Sequence, residues 1–291
     1  MVLSEFIRHR YLHFCLLLLP CVINAGELMH PELEKSVCGI KEPFVFWLWS
    51  SMAGRPDTAH IGSLSNVENI SVQTVDGRTL RGYKLKALAP GRASGHAQGY
   101  LLVIQGNAML ADQILSSFTH FSNTGVDVYI FDYRGYGRSD GKRRLKAMVN
   151  DYGEIIDLLD SRPYSSRLFY AMSFGGIVLL NALKERRQGA WIVIDSTPSR
   201  LSDYGCPEAY DPVNNLPEDA SNFFFIAGGQ DHVVTSAMSR DLIETAQERG
   251  ALVLRDPEMA HPFLDRNILV RDRRREVVSS FLLRGMTASE E

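Results

Sequence analysis

From residue 69 onward, short apolar runs alternate with longer amphipathic stretches. Asn69-Ile-Ser-Val-Gln-Thr74 and Thr79-Leu-Arg-Gly-Tyr-Lys-Leu-Lys86 alternate apolar and polar positions about an Asp76-Gly77 turn. That pattern predicts an antiparallel hairpin. Then come largely apolar runs: Tyr100–Ile104, Val126–Phe131, Arg167–Ala171, Trp191–Ile194, Asn222–Ala227 and Ala251–Leu254. Strands apolar on both faces belong inside a parallel sheet covered by helices. Helical periodicity falls near residues 109–123, 146–160, 176–187, 236–249 and 273–284. The order is βαβα after a leading hairpin, which predicts an α/β fold with a mostly parallel, doubly wound sheet. No internal repeat interrupts it, so residues 67–291 are expected to form one domain.

The first 66 residues do not share this rhythm. Arg8, His9 and Arg10 precede the apolar run Tyr11–Leu19, and small residues follow at Ala25-Gly26. Residues 1–25 therefore read as a signal peptide or membrane anchor. The expected location is exported, periplasmic or extracellular, or membrane-anchored through the N-terminus. Residues 26–66 form an N-terminal extension. Within it, the aromatic-rich stretch Pro43–Ala53 is too short to span a bilayer. It is expected to pack on the domain, and the alternative is a surface resting against lipid headgroups.

Composition narrows the function classes. The chain has 291 residues, 45% hydrophobic and 22% charged, with a net charge of −3. This excludes a disordered or multi-span protein. It also leaves no basic field for a nucleic-acid partner. The four cysteines (Cys15, Cys21, Cys38 and Cys206) form no C-x-x-C pair, so the common zinc and thioredoxin spacings are missing. Removal of residues 1–25 would leave Cys38 and Cys206 as one candidate disulfide.

Candidate chemistry lies in the loops at the carboxyl ends of the strands, where ligands bind in such sheets. Ala171-Met172-Ser173-Phe174-Gly175 follows a strand and opens a helix. This is a one-residue variant of the G-x-S-x-G elbow, which holds a nucleophilic serine on a strained turn. Such a serine needs an acid and a base in the chain order Ser, Asp, His. Asp231 follows the strand ending at Ala227, and His261 follows the strand ending at Leu254. Asp195, at the end of its own strand, competes for the acid role. His232, adjacent to Asp231, is a poor base for it. The loop Gln105-Gly-Asn-Ala-Met109 is expected to supply the amide of Asn107, which with the amide of Phe174 would form an oxyanion hole. Gly135-Tyr-Gly137 lacks the third glycine of a dinucleotide fingerprint, so no cofactor is implied, and no metal is either. The run Arg271–Glu276 alternates charge and is expected to be a solvated helix face.

These motifs together resemble the α/β-hydrolase superfamily, and in particular small signal-anchored serine hydrolases. Those carry a His-Gly-Asn-Ala-Gly-Asn loop and an Asp-Tyr-Arg-Gly-Tyr-Gly loop. Here the second stands intact at Asp132–Gly137, and Ile194-Asp195-Ser196-Thr197 also matches. The resemblance spans about residues 67–283. It departs at Gln105, where the family has His, and at Met109, where it has Gly. The resemblance implies cofactor-free hydrolysis of an ester, thioester or amide, with a small-molecule acyl substrate. The alternative is a catalytically idle scaffold acting as an envelope-attached binding protein. Lids in this superfamily are inserted after the strand ending at Asp195. Ser196–Ser221 contains four prolines, which predicts a short irregular flap.

Overall fold

The computed structural model describes residues 30–88, 97–184, 186 and 189–287. The expected leader, including Tyr11–Leu19, lies outside the described residues. Eight strands form one sheet: β1 (Val67–Gln73), β2 (Thr79–Leu85), β3 (Gly99–Ile104), β4 (Val126–Phe131), β5 (Ser166–Met172), β6 (Trp191–Asp195), β7 (Phe223–Gly228) and β8 (Leu252–Asp256). Their order is β1-β2-β4-β3-β5-β6-β7-β8. The hairpin β1–β2 is antiparallel and joins β4 antiparallel, while every later pairing is parallel.

The described helices are α1 (Glu42–Met52), α2 (Ala111–Ile114), α3 (Thr119–Ser122), α4 (Leu145–Asp160), α5 (Phe174–Leu183), α6 (Ser236–Glu248) and α7 (Ile268–Thr287). The period-2 geometry of the central strands explains the two layers. Tyr100, Leu102 and Ile104 of β3 point into a core shared with α4, α5 and α6. Leu101 and Val103 point into the opposite core, beneath residues 111–121 and α7. No helix among the described residues is long and apolar enough to cross a membrane.

The expected helix over 109–123 is broken into α2, a 3-10 turn at Leu115–Phe118, and α3. Its first residues are tied to groups outside it, one carboxylate and one backbone amide. The Ala111 N–H donates to Asp132 at 2.8 Å, and Asp112 accepts from the Asp57 N–H at 2.5 Å. The flap after β6 has no α-helix, only 3-10 turns at Ser202–Tyr204, Glu208–Tyr210 and Pro212–Asn215. Buried Asp211 folds it back on itself, accepting from the N–H groups of Leu201 (2.6 Å) and Ser202 (2.8 Å).

The N-terminal extension is stitched in by two acids and a disulfide. Glu34 pairs with Arg78 (3.1 Å) and with fully buried Arg134 (3.3 Å), which also takes Asp76 and Asp151 in forked contacts. Buried Glu42 accepts from the N–H groups of Val37 and Cys38 on one oxygen and from Leu145, the first residue of α4, on the other. Cys38 is disulfide-bonded to Cys206 of the flap, 168 positions away. Closing so long a loop strongly restricts the unfolded chain. We expect Cys38→Ser/Cys206→Ser to lose about 2–5 kcal/mol of unfolding free energy, read from the urea midpoint. An unchanged midpoint would mean that Glu34 and Glu42 hold the extension unaided.

Candidate active site

Ser173 occupies the one-residue turn between β5 and α5, with φ +53° and ψ −119°. A non-glycine residue at such an angle is strained and persists only where its surroundings fix it. Here the Ser173 N–H donates to the Asp195 carbonyl (2.8 Å), and the Ser173 carbonyl accepts from Thr197 Oγ1 and the Gly176 N–H, both at 3.0 Å. The helix must leave the strand at close quarters. A Cβ at Gly175 would overlap the Ile104 carbonyl oxygen at the end of β3. The unpaired amide end of α5 is therefore fixed beside the serine, favouring negative charge there.

The loop after β3 passes next to this turn, since a Cβ built on Gly106 would lie 3.5 Å from Ser173 Cβ. Ala108 takes φ +57°. The Asn107 side chain is turned away into the loop, its Oδ1 accepting from the Ala108 N–H (3.0 Å) and Tyr136 Oη (2.6 Å). Gln105 is fully buried and acts as a strut, its Nε2 donating to the Phe131 carbonyl at 2.8 Å. The departure from His at this position thus leaves the ends of β3 and β4 tied together.

Asp231 and His261 are brought together. His261 Nδ1 lies 2.8 Å from Asp231 Oδ2, with the aspartate side chain fully buried. Asp231 Oδ1 is occupied by the N–H groups of Val233 and Val234, both at 2.8 Å. One oxygen is thus spent on orienting the carboxylate and the other is left for the imidazole. Burial by itself would raise the Asp231 carboxyl. The His261 hydrogen bond and charge, with the Val234 and Val233 amides, outweigh it and hold the group below the ordinary carboxylate range. An ionised carboxylate only accepts, so Nδ1 donates to it, and in the neutral imidazole Nε2 is then the acceptor. His232 is exposed and takes no part. Among the described residues, Ser173 and His261 are not hydrogen-bonded to each other.

The two loops that carry Asp231 and His261 are zipped along their backbones. Gly229 N–H donates to the Asp256 carbonyl (2.8 Å) and Gln230 N–H to the Met259 carbonyl (2.9 Å). This approach is open only to glycine at 228, where a Cβ would overlap the Met259 carbonyl oxygen.

Asp195 has a different part from the competing acid role. Its fully buried carboxylate receives Arg274 Nη1 at 2.7 and 2.8 Å and Tyr170 Oη at 2.9 Å. This corrects the expectation that residues 271–276 are a solvated face. Arg275 pairs with Asp272 at the surface, and Arg273 reaches Asp256 and Glu258, but Arg274 is buried. The helix begins at 268 rather than 273, and Arg274 falls on its inward stripe with Val270 and Val278. The i, i+4 spacing of those three was the available signal. Arg274 also donates to Asp265 (2.8 Å) and to the carbonyl of Ala260 (2.5 Å), the residue before His261.

Comparison with known proteins agrees with this architecture. The family model described as "Serine aminopeptidase, S33" matches residues 95–204. The polyketide transferase claH of Penicillium crustosum is 30% identical over 161 residues, 53% of this chain and 51% of that protein. A thiohydrolase of Eupenicillium brefeldianum is 32% identical over 122 residues, 40% of this chain and 38% of that protein. The chain thus spans about half the length of the first of these curated relatives and less of the second. The Pyrococcus furiosus esterase Pf2001 superposes with a TM-score of 0.61 at 16% identity, covering 76% of this chain and 93% of that structure.

Removing one member of a buried ion pair strands its partner, at a cost of about 3–5 kcal/mol. We expect Arg274→Met to lose that much stability in urea unfolding. We expect Asp195→Asn/Arg274→Met to lose less than the two single changes combined. Additive losses would show that the two residues act independently.

Proposed function

We propose that this chain, whose fold is that of an α/β hydrolase, is a serine hydrolase that cleaves small acyl esters through an acyl-enzyme. The observation that carries this reading is the Asp231–His261 pair, joined through Nδ1, on the same sheet edge as a serine held at φ +53°. Ser173 Oγ attacks the acyl carbon while His261 Nε2 takes its proton. Asp231 holds the imidazolium that forms. The amides of Asn107 and Phe174 receive the oxyanion. His261 then protonates the leaving alcohol, and water enters by the same proton route to release the acid. A serine–histidine hydrogen bond that is loose without substrate and tightens with it is ordinary for such sites. The esterase and thiohydrolase among the similar proteins support an acyl substrate with oxygen or sulfur as leaving atom. Association with a membrane through the N-terminal segment remains part of the proposal.

On an aryl ester, Ser173→Ala should lower kcat by about 10⁴-fold or more. Asp231→Asn should lower it by about 10⁴, because the imidazole then rests in the wrong tautomer. Asp195→Asn should act mainly on stability. A catalytic loss at Asp195 with Asp231 silent would move the acid to β6.

The flap sets a second expectation. Three short 3-10 turns cannot wall a deep acyl tunnel, and each extra methylene contributes about 0.8 kcal/mol only where an apolar wall receives it. We expect kcat/KM on aryl esters to peak at roughly two to six acyl carbons and to fall by twelve. A steady rise to long chains would refute this.

A further inference from the structure

Helix α1 has apolar residues on both sides. Phe46 and Trp49 turn inward, with ring centroids 5.4 and 6.4 Å from that of Phe174, the residue after the elbow serine. On the other side Phe44, Trp47, Leu48 and Met52 are 62, 52, 42 and 67% exposed, and Ile40, just before the helix, is 94% exposed. At about 100° per residue, the four helical ones fall in a sector of roughly 140°. This is a continuous stripe, not scattered surface residues.

The charges around the stripe are sorted. Lys35, Lys41 and Arg55 are exposed at its two ends. The nearby acids Glu34 and Glu42 are turned into the fold by the ion pairs and amide contacts described above. A Trp/Phe/Leu face flanked in sequence by three exposed cations, which outnumber the solvent-reaching acids Glu32 and Asp57, is the pattern of a helix lying in a membrane interface. The sequence before the described residues continues in the same sense, with Arg8 and Arg10 ahead of the apolar run Tyr11–Leu19. A second copy of the chain is a poorer occupant. The stripe exposes on the order of 600 Å², short of the ~800 Å² per partner of a stable interface.

We propose that this face of α1 docks on a phospholipid bilayer, with the helix lying flat at headgroup level. The docking goes beyond hydrolysis, since none of the five residues belongs to the candidate site. The Cys38–Cys206 disulfide and the Glu42 contacts hold α1 in place beforehand, so little ordering is needed on binding. Because the opposite face of the same helix touches Phe174, the bilayer would lie about one helix diameter, ~10 Å, from the elbow.

The test uses the full chain with vesicles of phosphatidylcholine alone and with added phosphatidylglycerol. Phe44→Ser/Trp47→Ser/Leu48→Gln should partition at least about tenfold more weakly than the parent, with its urea midpoint unchanged. Phosphatidylcholine brominated in the acyl chain should quench the parent's tryptophan fluorescence, and Trp47→Phe should remove most of that quenching while still binding. Added phosphatidylglycerol should strengthen binding. Equal binding by parent and triple variant would overturn the proposal, assigning any attachment to the N-terminal run. Lack of quenching by brominated lipid would also overturn it. So would a dimer in sedimentation equilibrium that the triple variant does not form, since the face would then meet a second copy.

Discussion

Asp195 is the residue on which the geometry of the candidate site turns, because its backbone and its side chain serve opposite ends of that site. Its carbonyl accepts the Ser173 N–H and so helps to hold the left-handed turn. Its carboxylate holds Arg274, and Arg274 in turn holds the carbonyl of Ala260 and the carboxylate of Asp265. Asp265 closes the circuit by accepting the Ala260 N–H at 2.7 Å. The strained serine and the loop carrying the histidine are thus referred to one buried ion pair. Burying two charges costs several kcal/mol of solvation, which only a fully hydrogen-bonded arrangement repays. Tyr170 Oη and Ser196 Oγ supply the remaining contacts to the carboxylate.

A second constraint works at the backbone level. Serine, aspartate and histidine come from three separated segments, and none is near another in sequence. Parallel register aligns their strands: Met172 lies opposite Asp195, Asp195 opposite Ile226, and Gly228 opposite Asp256. Beyond the last register pair, the amide bonds from Gly229 and Gln230 continue the ladder into the loops. Asp231 and His261 therefore leave the sheet from a short shared scaffold. Side chains on such a scaffold lose little freedom on reaching their mutual geometry.

The sequence makes some of this legible and hides the rest for identifiable reasons. Short, nearly continuous apolar runs in regular alternation with amphipathic stretches reported strands buried on both faces. The small residues around Ser173 reported the crowding of strand against helix. Arg274 stayed hidden because charge alternation on a short window looks the same whether one member turns inward or all face water. Only a stripe counted from the true helix start, six positions before Arg274, separates the two cases. The segment 109–123 misled for a related reason. Its periodicity is helical, but Asp132 and Asp57 anchor its first turn from outside, and the segment divides into two short helices about a 3-10 turn. Gln105 reads as a lost family residue in sequence, whereas in space its amide supports the strand ends.

The N-terminal extension shows how the fold gives a peripheral segment structural consequence. Its three anchors reach three different supports of the candidate site. Glu34 joins the Arg134 cluster within the Asp-Tyr-Arg-Gly-Tyr-Gly loop, Glu42 caps the start of α4, and Cys38 joins the flap. With those fixed, α1 has one remaining choice of inward face, and Phe46 and Trp49 fill it against Phe174. The same anchoring turns Glu34 and Glu42 inward and leaves the aromatic stripe and its cations outward. A helix tied this way cannot rotate to bury its second apolar face without breaking buried ion and amide contacts, each costly to leave unpaired. The exposed stripe is therefore a consequence of what holds the extension to the fold, not of weak packing.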